Sequence, residues 1–421
     1  MTGSTFGPLA VPKRKNPLTR TRQPLLPPAR RSRRAHDLTW AAAEGRFALH
    51  ACTQCGAFSY PPREACPQCL SEDLVMRDAP DTGALLSATR AEVPADTYFR
   101  ERAPAHVGLV QLDCGPAVLC HLNPAAIPGD RLRLFLRLDR AGQAVFYATP
   151  LLGDIDLADD PQWRELSADP KHRRVLVTDG RHPVTVPLVT ALKRAGARDI
   201  VIGLSEAWKP FATREQLQAI DGVTIVPLDL TDEKSVVDVA RDYAAKTEIL
   251  VNTADYLRPG SLLEPGQMNP AREAMERLYF GQMRLARAFA PVMIARGADG
   301  EAGAAAWVNL LSVFAEAHAP GYAAYAAAQA ASLALSHSLR AELAQGGIRL
   351  ANVFCGPTDS EWYQAVPQPK VNQKALAAAI LDALMRGLEE SHVGDVAQDL
   401  LERRRRNPKA LERELGAGRQ G

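Results

Sequence analysis

The sequence lacks any apolar run of about 18 or more residues, the length that a helix needs to cross a membrane. It also has no apolar segment behind its first basic residues, so a secretion signal is not predicted. Charge of one sign is not in excess, because 50 Lys and Arg face 48 Asp and Glu and the formal net charge is +2. Such a chain has no overall field that would draw it onto nucleic acid or an acidic membrane. We expect a cytoplasmic protein with no membrane partner.

Cysteine is scarce, with seven in 421 residues, and four of the seven form two close pairs. Cys52-x-x-Cys55 and Cys66-x-x-Cys69 have the spacing of a zinc ribbon, in which four thiolates hold one tetrahedral ion. Four sulfur ligands leave no open position for water, so the predicted zinc is structural and not catalytic. A reduced, metal-free loop and a ribbon that has lost its metal while keeping its shape remain the alternatives.

The two ends of the chain are predicted to lie outside the folded domains. Residues 1–35 are rich in Pro, Lys and Arg and contain no acid, which predicts a disordered basic tail. This tail is either a docking arm for an acidic partner or a CoA phosphate, or a solvated segment. Residues 402–421 are predicted as a C-terminal tail.

Short strands are predicted after a helix and the cysteine pairs. A helix is expected at 38–47, within a helix-plus-ribbon segment at 36–80. Leucines alternate mainly with arginines over 131–138, which is the period of a half-buried antiparallel strand. Similar short segments punctuated by Gly and Pro precede it, so 81–150 is predicted to form a small OB-fold β-barrel.

A second domain is predicted after an Asp- and Pro-rich linker at 151–171. Over 172–401, short apolar strands alternate with helix-length segments, among them 271–295 and 323–345. This alternation predicts an α/β fold with a doubly wound parallel sheet of the Rossmann type. The strands are expected at residues 175–177, 200–204, 223–227, 248–252, 306–310 and 349–354.

Residues 36–150 resemble a family of accessory proteins that accompany thiolases. The shared features are the order Phe47, Cys52-Thr-Gln-Cys55-Gly, Cys66-Pro-x-Cys69 and a following strand block. This family combines a rubredoxin-like zinc ribbon with an OB-fold. The resemblance implies an acyl-CoA-associated subunit that binds a thiolase-type acyltransferase.

The second domain resembles the short-chain dehydrogenase/reductase family, whose members bind NAD(P). Against the family pattern Thr-Gly-x-x-x-Gly-x-Gly, the three glycine positions hold Asp179, Pro183 and Thr185. Bare backbone is needed there so that the pyrophosphate can approach the helix N-terminus. The substitutions therefore argue against NAD(P) binding.

Other family positions are retained or lost one by one. Asp229 matches the acidic turn that contacts adenine, and Asn252 matches the first Asn of the Asn-Asn-Ala-Gly motif, so these two would contact the cofactor if binding were retained. The glycine of that motif has become Asp255. The active-site asparagine aligns with Leu278, which cannot relay a proton.

The catalytic motif is incomplete in the same way. Ser312 and Tyr325 have the family spacing, but the lysine of Tyr-x-x-x-Lys is Gln329. A neutral amide cannot lower the pKa of the tyrosine as the lysine does. Ser312, Tyr325 and Gln329 are therefore interpreted as a degenerate catalytic site.

The first functional hypothesis is a non-catalytic, acyl-CoA-binding assembly subunit that works with a thiolase, an active dehydrogenase of the same family, or both. Family members commonly associate through the two long helices, so a homo- or hetero-oligomer is expected. The alternative is an NAD(P)-dependent oxidoreductase that acts on a 3-hydroxyacyl-CoA or 3-ketoacyl-CoA. A nucleic-acid-binding OB protein is the weakest hypothesis, because the barrel segment has few aromatics for base stacking.

Overall fold

The computed structural model describes residues 25–29, 32–153, 155–206, 208–211, 213–296, 303–364, 366 and 369–417. Most of the predicted basic tail lies outside these residues. They fall into two compact units: the first extends to Ala168 and includes Arg386–Leu388, and the second holds the other residues from Asp169 onward. Among the helices of the described residues, none has the length and apolar character required to span a bilayer.

The N-terminal unit combines a three-stranded sheet with a closed barrel. Its helices are α1 (Ala35–Ala43), α2 (Thr97–Glu101) and α3 (Pro161–Glu165). Its strands are β1 (Ala48–Cys52), β2 (Phe58–Ser59), β3 (Leu74–Asp78), β4 (Thr82–Ala91), β5 (Ala105–Leu112), β6 (Ala117–Leu122), β7 (Arg131–Leu138) and β8 (Ala144–Pro150).

The barrel closes in the order β4-β5-β6-β8-β7, with β7 pairing back onto β4. The predicted alternation in β7 is observed, because Leu132, Leu134 and Leu136 point into the core and are at most 1% exposed. Phe146 from β8 packs with them. The predicted OB-fold barrel is therefore confirmed.

The predicted linker at 151–171 was wrong over much of its length. Residues 157–159 form a 3₁₀ turn and 161–165 form α3, whose Trp163 stacks edge-on against Tyr147 of the barrel. Asp160 caps α3 and accepts hydrogen bonds from the Tyr147 hydroxyl and from Asn123. Two of the aspartates that suggested a linker, Asp156 and Asp160, are helix caps, which are equally polar in sequence.

The C-terminal unit alternates strands and helices. Its strands are β9 (Arg174–Val177), β10 (Asp199–Leu204), β11 (Val223–Pro227), β12 (Ile249–Asn252), β13 (Ala306–Ser312), β14 (Arg349–Cys355) and β15 (Glu390–Val393). Its helices are α4 (Thr185–Arg194), α5 (Arg214–Gln218), α6 (Glu233–Tyr243), α7 (Met268–Ala274), α8 (Gly281–Arg296), α9 (Ala323–Ala344), α10 (Gln373–Arg386), α11 (Asp395–Arg406) and α12 (Pro408–Ala417), with a π-helical turn at Met275–Phe280.

All seven strands of this unit are parallel, in the order β11-β10-β9-β12-β13-β14-β15. The predicted doubly wound sheet is confirmed, and β15, too short and polar to be recognised, extends it by one strand. The strand order reverses direction between β9 and β12, and ligands bind outside the carboxyl ends of strands at such a point. Residues that follow β9, β12, β13 and β14 therefore define the candidate site.

The predicted C-terminal tail at 402–421 is helical as far as it is described. Residue 402 lies inside α11, and α12 follows after Asn407, whose side chain accepts a hydrogen bond from the Ala410 amide. Leu411 of α12 is 4% exposed and packs with Leu400 of α11. Helix α12 begins at the pair Asn407-Pro408, a common start of a helix. The charged composition of the segment had favoured a tail instead.

We predict that Asp160→Ala destabilises the N-terminal unit by about 3 kcal/mol, because it removes a helix cap and leaves the buried Tyr147 hydroxyl and Asn123 amide short of a partner. Denaturant unfolding measures the loss, and hydrogen exchange of residues 144–166 localises it. Asp156→Ala, which removes the exposed cap of the 3₁₀ turn, is the control and should cost less. Equal effects of the two variants would contradict the buried network.

Candidate functional site

Four cysteines meet at one end of the three-stranded sheet. The sulfur atoms of Cys52, Cys55, Cys66 and Cys69 all lie within 4.8 Å of one another. Cys52 Sγ is 3.5 Å from Cys69 Sγ, and Cys55 Sγ is 3.5 Å from Cys66 Sγ. Tetrahedral zinc with bonds of about 2.3 Å requires sulfur atoms about 3.8 Å apart, so the donor set fits this ion.

The local fold prepares these thiols for a metal. Gly56 has a φ of 76°, which lets the chain turn back after Cys55 so that the Gly56 amide donates to the Cys52 carbonyl. The backbone amide of Cys55 lowers the pKa of Cys52 to about 6, and the amides of Cys69 and Gln68 lower the pKa of Cys66. The Ser71 amide acts in the same direction on Cys69, but the neighbouring thiols raise its pKa to about 12. A thiol that ionises readily is the form that binds zinc. The predicted four-cysteine site is thus positioned for a structural metal.

In the C-terminal unit, two adjoining small cavities of about 40 Å³ each lie at the carboxyl ends of the parallel strands. Ala254 and Asp255, which follow β12, line both cavities. The first cavity, here the tyrosine cavity, also contains His182, Leu310, Leu311, Ser312, Tyr325, Gln329, Cys355, Gly356, Thr358, Tyr363 and Leu376. The second, here the Asp229 cavity, also contains Thr178, Asp179, Ser205, Leu228, Asp229, Leu230, Thr231 and Arg277.

The backbone amides of the turn between β9 and α4 donate hydrogen bonds to acceptors within the same turn. The Arg181 amide donates to the Asp179 carboxylate at 2.8 Å, and the Val184 amide donates to Nδ1 of His182 at 3.1 Å. The Thr185 amide donates to the His182 carbonyl, and its hydroxyl donates to the Asp179 carbonyl. In a dinucleotide site the amides of this turn meet the pyrophosphate. Here side chains and carbonyls occupy them, so the turn does not fit that group.

Arg181 and His182 are the two basic side chains of this turn and the ones that could hold a cofactor phosphate. The Arg181 guanidinium instead donates to the carbonyls of Ser205, Glu206 and Lys209. Burial lowers the pKa of His182 and favours its neutral form. Burial also raises the pKa of Asp179. The turn therefore offers little positive charge to a phosphate.

Tyr325 is held by an acidic partner and not by a basic one. Its hydroxyl donates to Asp255 Oδ1 at 2.8 Å, and the side chain is 4% exposed. Burial and the nearby Asp255 carboxylate raise the pKa of Tyr325 well above its usual value. The family needs a tyrosine whose pKa is lowered, so the electrostatics here work in the opposite direction.

Gln329 is hydrogen-bonded to the Ser312 backbone and not to the Tyr325 hydroxyl. Its Oε1 accepts a hydrogen bond from the Ser312 amide at 3.2 Å, and it is 2% exposed. The Ser312 hydroxyl accepts from the Phe314 amide at 3.2 Å. The structure thus brings the three predicted catalytic positions, Ser312, Tyr325 and Gln329, to one cavity, and Asp255 completes the group.

The two predicted cofactor residues have different surroundings. Asn252 is 7% exposed, and its Oδ1 accepts from the Thr178 hydroxyl at 2.9 Å, so it ties β12 to β9. Asp229 lines the Asp229 cavity, and its Oδ1 binds the amide and hydroxyl of Thr231. Only Asp229 lies where a ligand could reach it.

Leu278 lies in the π-helical turn, 5% exposed and packed in the cluster that contains Tyr325. π-Helical turns are frequent at functional sites. This chain has the π-helical turn, but the residue at the proton-relay position, Leu278, has an apolar side chain.

Sequence reasoning noted the acid at 255 but did not foresee its bond to Tyr325. It also missed Tyr363, which lines the same cavity and is 5% exposed. Tyr363 comes from the loop after β14, which carries no recognisable motif, so no local signal could have identified it.

Three family models match this chain. The model described as short chain dehydrogenase matches residues 173–370. The ChsH2 rubredoxin-like zinc ribbon domain matches 39–75, and the ChsH2 C-terminal OB-fold domain matches 76–137. These matches confirm the predicted order of zinc ribbon, OB-fold and dehydrogenase-like domain.

Individual proteins of known structure or name are similar as well. A short chain dehydrogenase from Burkholderia cenocepacia J2315, solved in complex with NADP, is 30% identical with a TM-score of 0.52, covering 58% of this chain and 97% of that one. A 1-deoxy-11-beta-hydroxypentalenate dehydrogenase of Streptomyces exfoliatus is 29% identical over 202 residues, 47% of this chain and 72% of the relative. A short-chain dehydrogenase of Penicillium crustosum is 31% identical over 157 residues, 36% of this chain and 54% of the relative.

We predict that the purified chain binds one zinc ion and that Cys69→Ser strongly lowers its zinc content, because three sulfurs no longer close the tetrahedron. Elemental analysis by mass spectrometry measures the metal. Cys114→Ser, at a cysteine outside the cluster, is the control and should keep full occupancy. A wild-type chain without zinc after purification in metal-replete medium would contradict this prediction.

Proposed function

This chain belongs to the short-chain dehydrogenase family, and from that membership we propose that it uses the family fold for binding and assembly and not for hydride transfer. It would act as an accessory subunit of acyl-CoA metabolism. Its partners would be a thiolase-type acyltransferase, an active dehydrogenase of the same family, or both.

The observation that carries the proposal is the hydrogen bond from Tyr325 to Asp255. In carbonyl reduction the tyrosine must give its proton to the substrate oxygen, and a nearby positive charge makes the resulting phenolate accessible. At this site the neighbour is a carboxylate, and Gln329 supplies no charge. Proton transfer from Tyr325 would place two negative charges side by side in a buried cavity, which is strongly unfavourable.

The nucleotide end of the cleft supports the same proposal. Binding of a pyrophosphate would require the Arg181 and Val184 amides to give up their present acceptors. It would also place the phosphates against the Asp179 side chain, which stands where the family has glycine. Both ends of the cleft therefore disfavour a nicotinamide dinucleotide.

The N-terminal unit supports the partner class. The zinc ribbon and OB-fold match ChsH2-type domains, and these resemble the proteins that accompany thiolases. A metal closed by four cysteines stabilises a fold and does not perform chemistry. We propose that this unit binds the acyltransferase and that the long helices α8 and α9 of the other unit mediate oligomerisation.

The second candidate is an NAD(P)-dependent oxidoreductase of a 3-hydroxyacyl-CoA or 3-ketoacyl-CoA. It is favoured by the retained Ser312 and Tyr325 in an open cavity and by the similar Burkholderia protein in complex with NADP. It requires that the remodelled turn at 179–185 rearrange when the cofactor binds.

We predict that neither NADH nor NADPH binds this chain with micromolar affinity and that Gln329→Lys alone creates no ketone reduction, because Asp255 still accepts the Tyr325 proton and the turn still blocks pyrophosphate. Cofactor fluorescence titration and an absorbance assay at 340 nm measure the two outcomes. Asp242→Asn, at an exposed helical position, controls for nonspecific effects. Saturable NADPH binding together with turnover that Tyr325→Phe abolishes would favour the oxidoreductase.

We predict that the chain, coexpressed with a thiolase-type acyltransferase from the same genome, elutes with it as one species. Size-exclusion chromatography with light scattering measures the assembly and its stoichiometry. Cys52→Ser should weaken the complex, because the ribbon loses its metal, whereas Gln329→Lys should leave it intact. Separate elution of the two wild-type proteins would exclude this partner class.

A further inference from the structure

Two arginines of the C-terminal unit contact the ring of Tyr256. The guanidinium carbon of Arg258 is 4.5 Å from the centre of that ring and 4.2 Å from the centre of the Trp362 ring. The guanidinium carbon of Arg277 is 5.0 Å from the centre of the Tyr256 ring. Contact with an aromatic face attracts a guanidinium and restricts its orientation. Tyr256, Arg258, Arg277 and Trp362 are called the arginine cluster below.

Three separate segments of the chain supply the arginine cluster. Tyr256 and Arg258 come from the loop after β12, Arg277 comes from the π-helical turn, and Trp362 comes from a 3₁₀ turn in the loop after β14. Arg277 lines the Asp229 cavity, but the other three residues line neither of the two small cavities. The cluster is therefore distinct from the tyrosine cavity.

Both guanidiniums are only partly exposed and have no acidic partner. Among the residues that the structure describes, no carboxylate forms an ion pair with Arg258 or Arg277. Arg258 donates one hydrogen bond, from Nη1 to the Leu257 carbonyl at 2.7 Å. Stacking on a ring occupies the flat face of a guanidinium and leaves its in-plane N–H groups for an acceptor. The cluster thus holds two positive charges that no ion pair neutralises.

The acidic side chains nearby are engaged with other groups. Glu206 forms an ion pair with Lys209. Burial and a hydrogen bond with Glu273 raise the pKa of Tyr256, so this carboxylate lies at the tyrosine hydroxyl. The aspartates of the Asp229 cavity accept hydrogen bonds from the Arg181 amide, the Thr231 hydroxyl and the Tyr325 hydroxyl. The two arginines therefore remain for an external anion.

The charge of the cluster selects the class of anion. A carboxylate carries a single negative charge, whereas a phosphomonoester carries about −1.5 to −2 near neutral pH and has three acceptor oxygens. Two guanidiniums match the charge of the phosphomonoester, and the planar fork of each can bind two of its oxygens. A phosphomonoester therefore fits the cluster better than a carboxylate does.

We propose that Arg258 and Arg277 bind a phosphomonoester, the group that CoA carries on the ribose of its adenosine. This inference rests on the proposed association with acyl-CoA. It adds the residues with which the C-terminal unit holds the phosphate end of the thioester. NADPH carries the same group on its adenosine ribose, so the experiment includes both sources. Binding involves no covalent step.

The experiment compares ligands that differ in this one phosphate, with the full-length protein. CoA and dephospho-CoA form the first pair, and NADPH and NADH form the second. Isothermal titration calorimetry gives the dissociation constants. Wild type should bind CoA about tenfold more tightly than dephospho-CoA, because only CoA offers the cluster a phosphomonoester.

Three variants with the same loss of charge test the named residues. Arg258→Gln and Arg277→Gln should each remove most of the preference for CoA and leave the affinity for dephospho-CoA unchanged. Arg272→Gln, at an exposed position of α7, is the control and should keep the preference. The basic segment 1–35 is present in every variant, so its contribution to CoA binding is the same in all of them. A variant that failed to fold would lose affinity for both ligands of a pair.

The inference fails if wild type shows no preference within either ligand pair, or if the preference persists in both glutamine variants at the cluster. Neither result affects the proposed assembly with an acyltransferase, which coelution tests independently. A preference for NADPH over NADH that Arg258→Gln removes would support the phosphate site but assign it to a dinucleotide, and it would contradict the proposed function.

Discussion

The contact between the Tyr325 hydroxyl and the Asp255 carboxylate sets the chemistry of the whole cleft. One substitution in the loop after β12 converts a position where the family has glycine into a hydrogen-bond acceptor. The acceptor fixes the tyrosine proton, and its charge acts together with burial to disfavour the phenolate. Gln329 carries no charge, and its Oε1 accepts a hydrogen bond from the Ser312 amide. The catalytic positions remain close together, but the group bonded to the tyrosine hydroxyl is a carboxylate.

The phosphate end of the cleft follows the same principle, since donors are satisfied from within the protein. Asp179, His182 and the turn carbonyls accept the amides that a pyrophosphate would otherwise use. Buried donors are ordinarily hydrogen-bonded, so an internal acceptor competes directly with a ligand. The sheet order is nevertheless that of a doubly wound parallel sheet. The fold is therefore present, while the amides of its first turn are bonded within the protein.

Much of this architecture could be predicted from the sequence, because strand and helix periods are local properties. The spacing of the four cysteines predicted the metal site. The spacing of Ser312 and Tyr325 predicted the catalytic positions. What could not be predicted depends on contacts between distant segments. The hydrogen bond from Tyr325 to Asp255 joins residues 70 positions apart. The packing of Trp163 on Tyr147 makes an apparently polar linker part of the barrel unit. The aspartates at 156 and 160 look alike in sequence, but only the second is buried.

Several residues that the family uses for catalysis are replaced in this cleft, and the kind of replacement indicates whether the cleft still has a use. A site under no constraint would be expected to fill with apolar side chains, because a cavity and an unpaired buried polar atom each cost stability. Here Leu278 shows such filling at the proton-relay position, where it packs near Tyr325. The neighbouring cavity has not closed in the same way, because Ser312, Tyr325, Gln329 and Asp255 still line it with polar groups. A polar opening kept where a packed apolar core would be more stable is the physical argument for the proposed binding role of the dehydrogenase-like unit.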